Sequence, residues 1–199
     1  MKSKSEENNP KGAVAIGASV GAIEALSEIL PRLPASFPLP VLVVVHVPAR
    51  GTSALAELFD VKCDMRVKEA EDTEPLQNGT VYFAPPDYHL LVESDATLSL
   101  SNDDPVLHSR PAVDVLLWSA AEAFGDSVAG VVLTGASRDG AEGLRAICEA
   151  GGRAWVQDPA TAEGTFMPEA AIESCPAAQV APLQKISEGL IRFGKEICP

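Results

Sequence analysis

The segment that most constrains the fold of this chain is residues 12–21, GAVAIGASVG in one-letter code. An apolar run, typical of a short strand at 13–17, is followed directly by a glycine-rich turn. Apolar side chains then recur at helical spacing, which predicts a helix over 22–33. The turn carries one hydroxyl, Ser19, in the pattern G-x-S-x-G that places a nucleophile at a strand-to-helix elbow. Ser19 is therefore our candidate nucleophile.

The rest of the chain continues this alternation of strands and helices. Aliphatic and β-branched runs predict buried strands at 41–45 and 130–134, with a further strand at 153–157. Further helices are predicted around 53–59 and at 111–124, 141–150, 169–173 and 182–196. A short strand at 65–68 and an antiparallel meander attached to the main sheet are predicted for the middle, the meander at 80–84, 88–93 and 97–101. The pattern predicts an α/β fold: a doubly wound, mostly parallel sheet with helices on both faces and a small antiparallel β-meander.

Composition and charge exclude several classes of protein. The chain has 199 residues, which suits one domain; we place it at 12–199, after a polar tail at 1–11 that we expect to be disordered. The net charge of -13 argues against nucleic acid and anionic membrane surfaces as partners, and no apolar run is long enough to cross a bilayer. The tail has no apolar signal region, so we expect a cytoplasmic protein. The four cysteines are not closely spaced, which argues against a zinc site and predicts reduced thiols.

Polar side chains follow three of the predicted buried strands. Ser19 and His46 come directly after the first two, and Asp139 follows the strand at 130–134 after a glycine turn. In open parallel sheets the functional site lies outside the carboxyl ends of the strands, so we expect these residues to meet there. Their types match a nucleophile, a general base and a residue that orients the base. The chain order Ser, His, Asp differs from that of α/β-hydrolases, so that fold is not predicted.

Each of these residues also has a purely structural interpretation. Ser19 and Asp139 are both suited to capping the helix that follows them, and His46 is suited to ending a strand. Of the other two histidines, His89 lies in an apolar stretch and is expected to pack in the meander, whereas His108 is a candidate for lining a substrate groove. The turn at 17–22 also resembles a phosphate-binding turn. It does not match G-x-G-x-x-G, however, and the acidic ribose ligand is missing, so a nucleotide-binding module is disfavoured.

Six segments in chain order carry a family resemblance: AIGASVG at 15–21, VHVP at 45–48, RPAVDVL at 110–116, LTGASRDGA at 133–141, QD at 157–158 and MPEAA at 167–171. Together they resemble the catalytic domain of the CheB family of chemotaxis protein-glutamate methylesterases. The resemblance implies a Ser19–His46–Asp139 triad on a doubly wound parallel sheet, with no cofactor. A metal site is disfavoured separately, because no His or carboxylate cluster has ligand spacing. It implies hydrolysis of glutamate γ-methyl esters on chemoreceptor cytoplasmic helices with release of methanol, and also deamidation of certain receptor glutamines.

The chain departs from the family pattern near the predicted site. Val20-Gly21-Ala22 replaces the usual Thr-Gly-Gly, and the Gly-Met-Gly-x-Asp-Gly motif is changed at 135–140. Backbone donors survive a change of side chain, so the N–H groups of Val20 and Ala136 remain the candidate oxyanion hole. Arg110 and Met167 are the candidate residues of the substrate groove.

Two further features concern regulation and partners. The family usually has an N-terminal receiver domain, whereas only a short polar stretch precedes the first strand here. We therefore expect either a single-domain member or an excised catalytic fragment, with a separate signalling regulator in place of a receiver in the same chain. Like charges slow association with acidic receptor helices, but Arg50, Arg110 and Arg138 would make the mouth of the site less negative. The alternative function is a catalytically silent relative that binds a receptor or signalling partner through the same cleft.

Overall fold

The structure, a computed structural model, describes residues 9–46 and 54–199. They form nine strands, which are β1 Ala13–Ala18, β2 Val41–Val45, β3 Arg66–Glu69, β4 Thr80–Phe83, β5 His89–Val92, β6 Leu98–Ser101, β7 Val128–Val132, β8 Arg153–Gln157 and β9 Gln179–Ala181. They also form six α-helices, which are α1 Ala22–Ile29, α2 Leu55–Asp60, α3 Val113–Phe124, α4 Ala141–Glu149, α5 Phe166–Ser174 and α6 Leu183–Ile197.

Seven strands form one sheet in the order β3-β4-β2-β1-β7-β8-β9. Every neighbouring pair in it is parallel. The first strand lies at the centre, where Ala18 pairs with Val45 of β2 and Gly17 pairs with Val132 of β7. Strands β5 and β6 form a separate antiparallel hairpin. The predicted fold class is therefore confirmed.

Helices cover both faces of the sheet because the central strands are apolar on both sides. Along β1, Ala13 and Ala15 belong to one buried cluster, and Val14 and Ile16 belong to the other. This alternation is the two-residue period of a strand. The first cluster includes side chains of α3, α4, α5 and the hairpin, and the second those of α1, α2 and α6. Each face of the sheet thus has its own aliphatic core. The carboxyl ends of the central strands remain available for a site.

The middle of the chain differs from the prediction. The strand predicted at 80–84 is not part of a meander: β4 pairs in parallel with β2 and β3 inside the main sheet. The hairpin of β5 and β6 packs against α3, where the Ser119 hydroxyl accepts from the Val92 N–H at 3.0 Å. Strand propensity shows that a segment is extended but not which strand it pairs with, since pairing is decided by packing.

Smaller differences occur at the ends of elements. The helix predicted over 22–33 becomes a 3₁₀ turn at Leu30–Arg32, where Pro31 cannot donate to the helical ladder. The short strand β9 was not predicted. Residues 1–8 of the predicted tail, the start of the helix predicted around 53–59, and Pro48 and Arg50 lie outside the described residues. No helix in the described part of the chain has the length and apolar character needed to span a membrane.

The expectation of four reduced thiols is wrong for two of them. Cys148 near the end of α4 and Cys175 just after α5 form a disulfide across a sequence separation of 27 residues. Cys63 and Cys198 are free thiols. The pairing could not be anticipated from spacing, because helix packing brings the two cysteines together and nothing local marks them.

Candidate active site

Ser19 and His46 lie side by side at the carboxyl edge of the sheet. They are the residues directly after Ala18 and Val45, which are paired in adjacent parallel strands about 4.8 Å apart. The backbone continues the pairing, since the His46 N–H donates to the Ala18 carbonyl at 3.1 Å. On the other side, the Ser19 N–H donates to the Thr134 carbonyl at 2.9 Å. The sheet itself therefore fixes the spacing of the predicted nucleophile and base.

Asp139 holds the imidazole of His46. His46 Nε2 lies 2.7 Å from Asp139 Oδ2, with Asp139 fully buried and the His46 side chain 14% exposed. An ionised carboxylate can only accept a hydrogen bond, so Nε2 carries the proton and Nδ1 is the basic nitrogen. Two of the three predicted residues are thus hydrogen-bonded to each other, as the predicted roles of base and orienting group require.

The carboxylate of Asp139 also accepts from the first turn of a distant helix. Oδ2 accepts from the Val113 N–H at 2.7 Å, and Oδ1 accepts from the Asp114 N–H at 2.8 Å, both at the start of α3. These donors and the positive end of the α3 dipole stabilise the negative charge. The alternative that Asp139 caps the helix following it is wrong, since Gly140 is the N-cap of α4 without a side-chain cap.

Gly17, the first glycine of the G-x-S-x-G pattern, allows α3 to come this close. A Cβ atom at position 17 would collide with both γ-carbons of Val113. The glycine therefore makes room for the first residue of α3 against β1. Because Val113 and Asp114 supply the donors to Asp139, a residue in the nucleophile motif also sets the position of the acid.

The hydroxyl of Ser19 is unpaired within the part of the chain that the structure describes. Among the described residues it has no hydrogen-bond partner, and it is half-buried at the turn. In unliganded sites, catalytic hydrogen bonds often form only when substrate binds. The backbone N–H groups of Val20 and Ala136 likewise donate to no acceptor in the described part of the chain. They therefore have no competing acceptor there, and their role as an oxyanion hole stays a prediction.

The predicted groove residue Met167 lies close to Gly135, as Ser19 does. Its N–H donates to the Gly135 carbonyl at 3.0 Å, and its side chain is buried. A Cβ atom at position 135 would lie against the Met167 sulfur and within 2.9 Å of Ser19 Cβ. A glycine is therefore required at position 135, where the turn after β7 meets α5 and Ser19.

The side chains of Thr134 and Gln157 brace the same turn, and no role was predicted for them. The Thr134 hydroxyl donates to the Val20 carbonyl at 2.8 Å and accepts from the Gly164 N–H at 2.8 Å. Gln157 Oε1 accepts from the Thr134 N–H at 2.9 Å. Both residues lie in the segments that carry the family resemblance, which was the one available signal. The bonds connect the elbow to the ends of β7 and β8.

The predicted groove residue Arg110 is held by other contacts. Its guanidinium donates to Asp87 Oδ1 at 2.7 and 3.0 Å and to the carbonyls of Asn102 and Asp103 at 2.8 and 2.9 Å. Arg138 pairs with Glu173 at 3.6 Å. Each cation therefore has an acidic partner, which reduces the positive charge it contributes to the mouth of the site.

The remaining two histidines lie apart from the triad. His89 is buried, and its Nδ1 accepts from the Ala112 N–H at 3.2 Å, so it packs as expected. His108 is exposed in the loop before α3. Within residues 9–46 and 54–199, no three His, Cys, Asp or Glu side chains are grouped as metal ligands would be.

Asp114 is a buried carboxylate next to the triad that the sequence analysis did not single out. Its Oδ1 accepts from the N–H groups of Gly140 at 2.9 Å and Gly143 at 2.7 Å, at the start of α4. Burial raises the pKa of Asp114 to about 6, and the nearby charges of Asp139 and Glu142 act in the same direction.

Comparison with known proteins places these motifs in a family context. The profile of the CheB methylesterase family matches residues 14–190. A curated protein of Leptospira interrogans named "Putative protein-glutamate methylesterase/protein-glutamine glutaminase" is 47% identical over 181 residues, covering 91% of this chain and 94% of that protein. The protein-glutamate methylesterase/protein-glutamine glutaminase of Archaeoglobus fulgidus is 40% identical over 183 residues, covering 90% of this chain and 52% of that protein.

A solved structure gives the same result for the fold. The crystal structure of the Thermotoga maritima CheB methylesterase catalytic domain superposes with a TM-score of 0.87 at 38% identity. The match covers 92% of this chain and 98% of the solved chain. The Pseudomonas putida protein-glutamate methylesterase/protein-glutamine glutaminase of group 1 operon is 38% identical, and the chain spans 50% of its length. The chain thus spans nearly all of the Leptospira relative and about half of the Archaeoglobus and Pseudomonas ones.

Proposed function

The chain belongs to the CheB methylesterase family, and we propose that Ser19, His46 and Asp139 carry out its ester hydrolysis. The enzyme is a carboxylic ester hydrolase of the protein-glutamate methylesterase type, named as such in its relatives. The observation that supports our site assignment is the 2.7 Å bond between His46 Nε2 and Asp139 Oδ2, formed beside Ser19 at adjacent strand ends.

The geometry supports a two-step mechanism. Ser19 Oγ attacks the carbonyl carbon of a glutamate γ-methyl ester, and His46 Nδ1 takes the hydroxyl proton. The oxyanion of the tetrahedral intermediate accepts from the N–H groups of Val20 and Ala136. His46 then gives its proton to the methoxy oxygen, and methanol leaves an acylated Ser19. Water, deprotonated by His46, attacks this ester and releases the glutamate side chain and the serine hydroxyl.

The same steps account for glutaminase activity. A glutamine side chain differs from the methyl ester only in its leaving group, which departs as ammonia after taking the proton from His46. The acyl intermediate on Ser19 is identical in both reactions. One site therefore produces glutamate from either substrate.

The substrates we propose are the methylated cytoplasmic domains of chemoreceptors, and we place the reaction in the cytoplasm. The regulator that we propose is a separate signalling protein. The net charge of -13 opposes association with acidic helices, and Arg110 and Arg138 are already paired with acidic side chains. We therefore expect methanol release to increase as salt screens this repulsion. A decrease with salt would point to a basic substrate surface instead.

Methanol release from a methylated receptor cytoplasmic fragment tests the proposal. The wild type is compared with Ser19→Ala and with a matched control, Ser99→Ala, which removes a hydroxyl from the β6 strand of the hairpin. Removing a triad nucleophile lowers kcat by several powers of ten, about 10⁶-fold in the best-studied case. We expect release by the wild type and the control only.

Each other outcome has a definite meaning. Equal release by the wild type and Ser19→Ala would refute the assignment of the nucleophile. No release by a folded wild type, on a fragment that a characterised relative demethylates, would favour the silent binding relative.

A further inference from the structure

We propose that Asp114 is a positioning residue for this reaction: its carboxylate fixes the turn that carries Asp139 and, through Asp139, the orientation and charge of His46. The inference rests on the proposed triad. Asp114 touches neither substrate nor the reacting atoms, so its effect passes through the groups that do.

The geometry is a reciprocal exchange between two helix starts. The carboxylate of Asp139, just before α4, accepts from the N–H groups of Val113 and Asp114 in α3 at 2.7 and 2.8 Å. The carboxylate of Asp114, in the first turn of α3, accepts from the N–H groups of Gly140 and Gly143 at 2.9 and 2.7 Å. Each acid therefore binds the helix start to which the other belongs. Neither helix start can shift without lengthening bonds to both acids.

This exchange fixes the position of Asp139 Oδ2, the atom that orients the imidazole of His46. Gly140 follows Asp139 directly, so the bond from its N–H to Asp114 holds the peptide beside the triad acid. The Asp139 N–H donates to Ser137 Oγ at 3.1 Å, which holds the turn from its other side. Asp139 itself is fully buried, so its carboxylate has no solvent to replace a lost partner. A loosened turn would therefore move Oδ2 relative to His46.

The charge of Asp114 is weakly screened by its surroundings. The ionisable groups facing it are Asp139 and Glu142 at the start of α4, and His46 lies beyond Asp139. From the hairpin, His89 bonds the Ala112 N–H, two residues before Asp114. The segments of β1, β2 and β7 that pack against α3 contain no charged residue. The residue is 2% exposed, so water screens its charge little.

The electrostatic consequence has a definite sign. An ionised Asp114 adds a negative charge near the imidazole and favours its protonated form, which is the form produced when His46 takes the Ser19 proton. Burial raises the pKa of Asp114 to about 6. Removing the charge while keeping the acceptor disfavours imidazolium. Removing both frees two backbone donors and loosens the turn.

Three variants separate these two effects. Asp114→Asn keeps an oxygen acceptor for the Gly140 and Gly143 N–H groups but removes the charge. Asp114→Ala removes both. Asp126→Asn is the matched control, an exposed aspartate just before β7 at the opposite edge of the sheet. For each protein, kcat and KM for methanol release are measured from pH 5 to 9, well below the unfolding temperature.

We expect Asp114→Ala to lose about ten- to a hundredfold in kcat with KM unchanged, as for a small misplacement of a catalytic group. Asp114→Asn should recover most of that kcat at neutral pH. The acidic limb of its kcat/KM profile should move to lower pH. Asp126→Asn should match the wild type in all three respects. If both Asp114 variants lower only the unfolding temperature and keep the wild-type kcat and pH profile, Asp114 is purely structural and the proposal is overturned.

A measurement without substrate distinguishes this failure from failure of the proposed function. The chain has three histidines, so the His46 ring resonances can be assigned by NMR with a His46→Gln variant. The midpoint of the His46 titration should move to lower pH in Asp114→Asn but not in Asp126→Asn. Coincident midpoints would overturn the charge coupling, whatever the enzyme turns over. A shifted midpoint without methanol release would support the coupling and refute the proposed substrate.

Discussion

Carboxylate groups lie close together in both of two regions of the molecule, and different partners stabilise their negative charges. At the triad, Asp114 donates its N–H to Asp139 Oδ1 at 2.8 Å, and both side chains are buried. After β3, Glu71 donates its N–H to Glu74 Oε1 at 2.7 Å. There Lys68 Nζ bonds both glutamates, at 2.6 and 2.8 Å, and the Glu71 side chain is 74% exposed. We call the second group the Lys68 cluster.

The difference lies in what balances the negative charge. In the Lys68 cluster an ammonium group does so, and its hydrogen bond lowers the pKa of Glu71. At the triad the described residues provide backbone N–H groups and one imidazole, and burial raises the pKa of Asp114 to about 6. A lysine salt bridge would hold the acids at fixed charge. Backbone N–H groups supply no full positive charge, and the pKa of the buried Asp114 rises, as is common at functional sites.

The largest effect should come from Asp139→Asn. The amide keeps the shape of the side chain but can donate to His46, so the imidazole would be held in the wrong tautomer. We expect kcat for methanol release to fall about 10³- to 10⁴-fold. The measurement is steady-state kinetics on a methylated receptor fragment.

The equivalent change in the Lys68 cluster, Glu71→Gln, is the control. It removes one negative charge from a carboxylate that touches no part of the site, so kcat should stay at the wild-type value. A loss of less than tenfold in Asp139→Asn would mean that backbone donors alone can orient the base, and the comparison would fail.

The second largest effect concerns stability and pH. Because the pKa of Asp114 rises from 3.8 to about 6 on folding, the folded state binds the proton more tightly. This group therefore makes folding less favourable as pH rises from about 4 to about 6, by on the order of 3 kcal/mol in total. Urea unfolding of the wild type and Asp114→Asn across this range measures it. The difference between the two free energies of unfolding should change by that amount, and a constant difference would contradict the raised pKa.

The sequence was enough to predict the proposed triad but not its surroundings. Ser19, His46 and Asp139 each follow an apolar strand, and parallel strands bring their ends to one edge. The donors to Asp139 belong to α3, more than 20 residues earlier in the chain, and reach it through tertiary packing. The local sequence predicts only that Asp114 is a polar residue in the first turn of a helix. Its burial and raised pKa arise only when α3 and α4 pack together.

The same reasoning explains the misplaced strand and the unforeseen disulfide. Residues 80–83 have strand character in any context, and only the assembled sheet decides that they pair with Val41–Val45. Cys148 and Cys175 meet because α4 and α5 are neighbours. Local patterns therefore predict elements and the ends of strands, whereas pairings distant in sequence depend on the fold as a whole.

A third prediction concerns the close approach that makes the buried arrangement possible. Gly17→Ala places a methyl group against both γ-carbons of Val113 and should push α3 away from β1. Overpacking of this kind costs about 1 to 3 kcal/mol of unfolding free energy, measured in urea. We also expect a reduced kcat, because the Val113 and Asp114 donors move with the helix.

A second-site change tests that cause. Val113→Ala removes the γ-carbons that collide, so the Gly17→Ala/Val113→Ala double variant should regain part of the lost stability and kcat. Additive losses in the double variant would show that contact with Val113 is not the reason for the glycine.

The smallest effect should come from Glu71→Gln, now as a stability measurement. Its lowered pKa means that the carboxylate stabilises the fold above about pH 4.5, and that this contribution is lost as pH falls through the folded pKa. Its sign is therefore opposite to that of Asp114. Because the side chain is solvated, the change in unfolding temperature should be close to the error of measurement at neutral pH. It should vanish in 1 M salt, where screening acts over about 3 Å. A large, salt-independent loss would mean that the Lys68 cluster behaves like the buried pair, and that exposure does not separate the two regions.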